Sequence, residues 1–235
     1  MKVRIDAQEF LRNIESYAED TEYDYTYYLI SHELRRMQIS KMIGKLSLEH
    51  MNPILLFLRD WMPSGWVTWS EKGGKRWEMG SKLCTALNKL SSDFNFLRKL
   101  DLMNFVPELH GNTIIKIFEQ ISGLELAVSE EAIATVTSKI IHLLDPKLFV
   151  MWDTKIIGYY SLQPNANGYL EFLVEMKKFA KQLQSRLNEI NKKAEEFRKK
   201  SCELYGEQIC SEKSLAKLID ESNWIEVRKR RDSYR

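Results

Sequence analysis

Three residues in one stretch have the types and spacing for chemistry: Lys139, His142 and Asp153, within TSKIIHLLDPKLFVMWDTKII, Thr137 to Ile157. Lys139 and His142 are three apart, so a helix puts them side by side. With the carboxylate of Asp153 they form a set able to move protons. Each also has an ordinary reading. Asp153 stands ahead of Thr154, Lys155, Ile156 and Ile157, where a helix N-cap belongs. His142 reads first as a helix-surface or partly buried histidine without catalytic duty.

A second set lies in WVTWSEKGGKRWEM, Trp66 to Met79. Trp66, Trp69 and Trp77 alternate with Lys72, Lys75 and Arg76, a mixture that suits base stacking and phosphate contact. Two aromatic and β-branched runs flank Glu71-Lys72-Gly73-Gly74, which predicts a small β-hairpin over 66–79. The competing reading makes the tryptophans plugs for the side of a helical core. No Gly-rich phosphate loop, G-x-S-x-G or metal-spaced His/Cys cluster is found, so no metal and no cofactor are expected. Cys84, Cys202 and Cys210 form no C-x-x-C pair and are odd in number, which points to a reducing compartment.

The elements that must position these groups are helices. Asp6 precedes a helical stripe of Ala7, Phe10, Leu11, Ile14 and Tyr17, with Glu9 in capping-box register. Tyr23, Tyr25, Tyr27 and Tyr28 open a second helix, either as stacking groups or as packed aromatics. Pro53 begins a third that ends before Pro63, and leucines 83, 87 and 90 with Phe94 and Leu97 mark another. Ile114 to Ile121 form a short helix closed by Gly123. Ser129 caps the helix that carries Lys139, and Asp145-Pro146 ends it. Leu148 to Trp152 are apolar without a break and read as a buried crossing segment. Past the turn residues PNANG at 164–168, Leu173, Met176, Ala180, Leu183, Leu187, Ile190, Ala194 and Phe197 make an a/d seam along one long helix over 169–200. A short final helix around Leu215, Leu218 and Ile219 precedes a basic tail, Arg228 to Arg231.

The stretch IIHLLDPKLFVMWDTKI resembles the region of helix-hairpin-helix (HhH-GPD) DNA glycosylases in which a helix, a short loop and an apolar run lead to an aspartate at the next helix start. The resemblance covers residues 129–158. It implies that Asp153 stabilises positive charge developing on a sugar, or orients a nucleophile, while a base is flipped into a pocket between helices. Two features depart from the family. LAVSEEAI has no glycine where a phosphate-binding hairpin would precede the helix, and the lysine of the bifunctional members would fall at Ala134. Lys139 lies five residues on, about 140° around the helix.

The bulk properties bound the rest. With 35 basic and 33 acidic residues the formal charge is +2, so a nucleic-acid partner must be met by local patches. The 44% apolar content of 235 residues fills a real core, and no run approaches the roughly 20 apolar residues of a membrane span. Polar Asp6, Gln8 and Glu9 interrupt the N-terminal stretch, which argues against a signal peptide and for a cytoplasmic or nuclear-type compartment without membrane contact. The expected fold is mainly α: a multi-helix orthogonal bundle with the 66–79 hairpin and a long C-terminal helix, residues 1–160 forming the core and 165–235 packing back on it. Two functions follow. One is a DNA-binding protein resembling the base-excision glycosylases, monofunctional or catalytically degenerate; the other is a non-catalytic interaction protein that forms homo-oligomers or binds a partner through residues 169–200.

Overall fold

A computed structural model describes residues 5–20, 23–62 and 76–232. Twelve α-helices and no strand occur among these residues. They are α1 (Ala7–Asp20), α2 (Tyr23–Arg36), α3 (Ile39–Met42), α4 (Asn52–Trp61), α5 (Arg76–Lys89), α6 (Ser91–Leu97), α7 (Pro107–Ser122), α8 (Glu130–Leu144), α9 (Thr154–Tyr159), α10 (Ala166–Gln182), α11 (Leu187–Tyr205) and α12 (Leu215–Asp232). Helix α8 is central, and every residue from Ala134 to Leu144 is buried. Helices α4, α7 and α9 pack on α8, while α1 lies along α12 and α7 along α10.

Local chemistry sets the ends of these helices. Asp6 Oδ1 accepts from the backbone N–H groups of Gln8 and Glu9 at 2.9 and 2.8 Å. Ser129 Oγ accepts from Ala132 N at 3.2 Å, so α8 begins where its sequence predicts. Asn165 caps α10, and Gly168 must be glycine because a Cβ there would come within 2.1 Å of the Gln163 carbonyl oxygen. Gly206, at φ 95, ends α11 in a conformation that side chains disfavour.

Leu148–Trp152 is a buried crossing segment whose backbone is satisfied mostly by side chains, as a non-helical stretch away from water requires. Ser138 Oγ accepts from Trp152 N at 3.2 Å, Tyr169 donates its hydroxyl to Val150 O at 2.8 Å, and Trp152 Nε1 donates to Ala134 O at 3.1 Å. The Trp152 ring meets Phe118, Tyr169 and Phe172, which fixes the approach to Asp153.

Two expectations are corrected. The small β-hairpin is not formed: Arg76 to Met79, its second strand, are the first turn of α5, a start favoured by Glu78 near the helix N-terminus. Trp66, Trp69, Lys72 and Lys75 lie outside the described residues. The helix over 169–200 is broken at Leu183, where one 3-10 turn, Gln184–Arg186, separates α10 from α11. Its seam faces inward: Leu173, Met176, Ala180, Leu183, Ile190 and Phe197 are buried in the same apolar cluster as α1, α7 and α8. Among the described residues, side chains from before 160 and after 165 belong to this one cluster.

Candidate functional site

Lys139 and Asp153 come together where α8, the crossing segment and α12 meet. Both line a cavity of about 90 Å³, with Tyr17, Trp61, Asp220 and Trp224 among its walls. Asp153 is the N-cap of α9, and both cap hydrogen bonds, from Lys155 N at 2.8 Å and Ile156 N at 2.9 Å, go to Oδ1. Oδ2 takes no part in the cap. Asp153, Ile156 and Trp224 also border an outer groove of about 450 Å³ flanked by Lys155 and Arg228, both exposed. That volume is in the usual range for a small-ligand site, about 300–1,000 Å³.

Lys139 is buried and donates from Nζ to the Trp61 carbonyl oxygen at 3.1 Å. Its amine is pulled down to about 8, chiefly because burial disfavours the ammonium, although Asp153 and Asp220 favour it. Near pH 8 this lysine is half neutral, as a base or nucleophile needs to be.

His142 does not join them. Its Nδ1 is 2.7 Å from the Phe149 carbonyl, which makes that nitrogen the N–H donor, and Nε2 then accepts from the Tyr27 hydroxyl at 3.1 Å. Burial holds its pKa down to about 3, so the ring is neutral and both nitrogens are committed to packing the crossing segment against α2. Ala134, where the resemblance would place the lysine of the bifunctional glycosylases, is likewise buried, with its carbonyl holding Trp152. Of the nucleic-acid set, Arg76 and Trp77 open α5 and Trp77 is exposed.

A cluster of buried charge that the sequence did not disclose stands behind Lys139. Lys217 Nζ pairs with Asp220 at 2.8 Å and Glu221 at 3.3 Å, and Lys213 Nζ pairs with Glu221 at 2.8 Å and Asp24 at 2.7 Å. The Lys217 ammonium also lies 4.8, 4.9 and 5.1 Å from the ring centres of Tyr27, Trp61 and Tyr17, close enough for cation–π attraction. Burial works against the ammonium forms of Lys217 and Lys213, but the neighbouring carboxylates win and raise both pKa values. Burial pushes the carboxyls of Asp220 and Glu221 up, against the pull of the two lysines. Asp220 faces the Lys139 cavity, so the network reaches the candidate site. In sequence none of these residues stands out as a site; Leu215, Leu218 and Ile219 mark only a short final helix. The spacing of Lys217 to Asp220 and Glu221, together with the apolar Leu218, Ile219 and Ile225, was the available signal.

No family model, curated protein or solved structure matches the chain.

Proposed function

We propose that this chain acts on DNA in the manner of the HhH-GPD base-excision glycosylases, with the Lys139–Asp153 cavity as its site. The observation that carries the reading is that an aspartate at a helix start and a buried lysine with a depressed pKa share one aromatic-walled cavity, which adjoins a groove flanked by basic residues. Asp153 Oδ2 is the group to stabilise charge developing on a sugar, because Oδ1 is held by the cap. The outer groove has room for a flipped nucleoside beside Trp224, and Lys155 and Arg228 supply phosphate contacts. Because Ala134 replaces the family's lysine, the reaction expected is hydrolysis. Water adds to the sugar carbon as its bond to the base breaks, and the departing base takes up a proton.

Self-association through residues 169–200 is the weaker reading, because the apolar seam it requires is already consumed by the protein's own core. Salt-dependent binding and base release on duplexes carrying damaged bases test the proposal, with Asp153→Asn as the control that keeps the cap. Absence of salt-dependent binding to any DNA by the folded protein rejects it.

A further inference from the structure

On the other side of the α8 C-terminus lie two adjoining cavities, of about 460 and about 280 Å³, that the candidate DNA site does not use. They share five lining residues, among them Arg35, Ser40 and Lys147, so they form one continuous cleft. Arg98 faces its smaller part. The cations are distinctive in what they contact. Arg12, Arg36, Arg59, Arg186 and Arg198 each meet a carboxylate. Arg35 instead donates to Ser211 Oγ at 2.6 Å and Arg98 to the Ser40 carbonyl at 2.5 Å, and neither these two nor Lys147 forms an ion pair with a described residue. Three positive groups with no ion pair to a described residue are therefore set around one cleft.

The cleft has two carboxylates, Asp145 in its smaller part and Glu212 in its larger part. Asp145 is held up to about 7 by burial, against the pull of Lys147 and Arg98, so it is about half protonated at neutral pH. Glu212 borders the larger cavity, and so does Lys213, whose charge is spent on Asp24 and Glu221. The floor is apolar, formed by Tyr27, Leu34, Ile39, Leu143 and Leu144. An arginine fork suits phosphate oxygens, and an apolar floor suits a ring.

We propose that this cleft binds a nucleoside monophosphate, its phosphate held by Arg35, Arg98 and Lys147 and its base lying on the Leu143–Leu144 floor. The site is independent of the proposed DNA chemistry and shares no residue with the Lys139–Asp153 cavity. Calorimetric titration with AMP, GMP, CMP and UMP, alongside adenosine, inorganic phosphate and an undamaged DNA duplex, tests it on wild type and on the Arg35→Gln/Lys147→Gln double variant. Both substituted side chains are exposed, and Lys147→Gln alone serves as the second variant should the double one lose its circular dichroism. The expected result is saturable binding of at least one monophosphate, weakened at least about tenfold by the substitutions, with adenosine and inorganic phosphate each at least about tenfold weaker than that nucleotide. No nucleotide binding, affinity unchanged in the variants, inorganic phosphate binding as tightly as any nucleotide, or binding of the duplex alone would overturn the proposal.

Discussion

The Lys139 ammonium donates to the Trp61 carbonyl oxygen at 3.1 Å and lies 5.6 Å from the centre of the Trp61 ring. One hydrogen bond and one aromatic face compensate little of the hydration that a buried ammonium loses, and its pKa falls to about 8. The unfolded chain then binds more protons than the folded one between about pH 8 and the ordinary lysine value, 10.5, so this group adds stability as pH rises through that window. Replacing Lys139 with Met should remove that dependence. Measured by urea denaturation, the stability of Lys139→Met relative to wild type should fall by about 3 kcal/mol between pH 7.5 and 10.5, at roughly 1.4 kcal/mol per pKa unit. A pH-independent difference would mean that Lys139 titrates normally.

Lys217 is expected to behave in the opposite way. It is fully buried between Asp220, Glu221 and three aromatic rings, and removing it leaves the buried Asp220 without its ion-pair partner and Glu221 with Lys213 alone. Lys217→Met should cost about 3–5 kcal/mol of unfolding free energy, the usual penalty for breaking one side of a buried ion pair. A loss below about 1 kcal/mol would show that Asp220 and Glu221 take up protons at no cost.

His142 provides a third check, made by long-range proton–nitrogen correlation spectra of its imidazole. With a folded pKa of about 3 against 6.5, the unfolded chain binds more protons between those values. Its contribution to stability is therefore complete above pH 6.5 and is lost as pH falls toward 3. The ring should be neutral at pH 5 and carry its proton on Nδ1, toward the Phe149 carbonyl. Titration near 6.5 would place the side chain in solvent.

These groups also show what was legible in the chain. Helix starts were, because capping is local: Ser129 and Asp153 each accept the backbone hydrogen bonds that their positions imply. So was the buried crossing segment, because five consecutive apolar residues have no other place to go. The hairpin was misread because aromatic residues such as Trp77 suit strands and helix starts alike, and strand pairing is a tertiary fact. The break at Leu183 went unseen because the apolar spacing of the seam continues across it. Least visible was the burial of Lys213, Lys217, Asp220 and Glu221, since their charges neutralise one another only when α12 packs beside α1 and α2 brings in Asp24. Lys139 was visible as a candidate, but not the cavity it shares with Asp153, which depends on Trp61, Asp220 and Trp224 from distant parts of the chain.

Asp153 separates structure from chemistry by substitution. Asn can cap α9 as well as Asp does, whereas Ala leaves the Lys155 and Ile156 N–H groups unbonded. Asp153→Ala should therefore lose about 1 kcal/mol in urea denaturation, and Asp153→Asn less than about half of that. Equal losses would mean that the carboxylate charge, not the cap, holds the helix start.

The most direct measurement is single-turnover release of the base from duplexes carrying a panel of damaged bases, by wild type and by Asp153→Asn at matched stability. The expected result is salt-sensitive duplex binding by both proteins, with base release by the wild type and a loss of at least about 100-fold in the variant, on the scale of removing one charge-stabilising group. Equal release by the two proteins, or no DNA binding by the folded wild type at any salt concentration, would contradict a DNA site at Lys139 and Asp153.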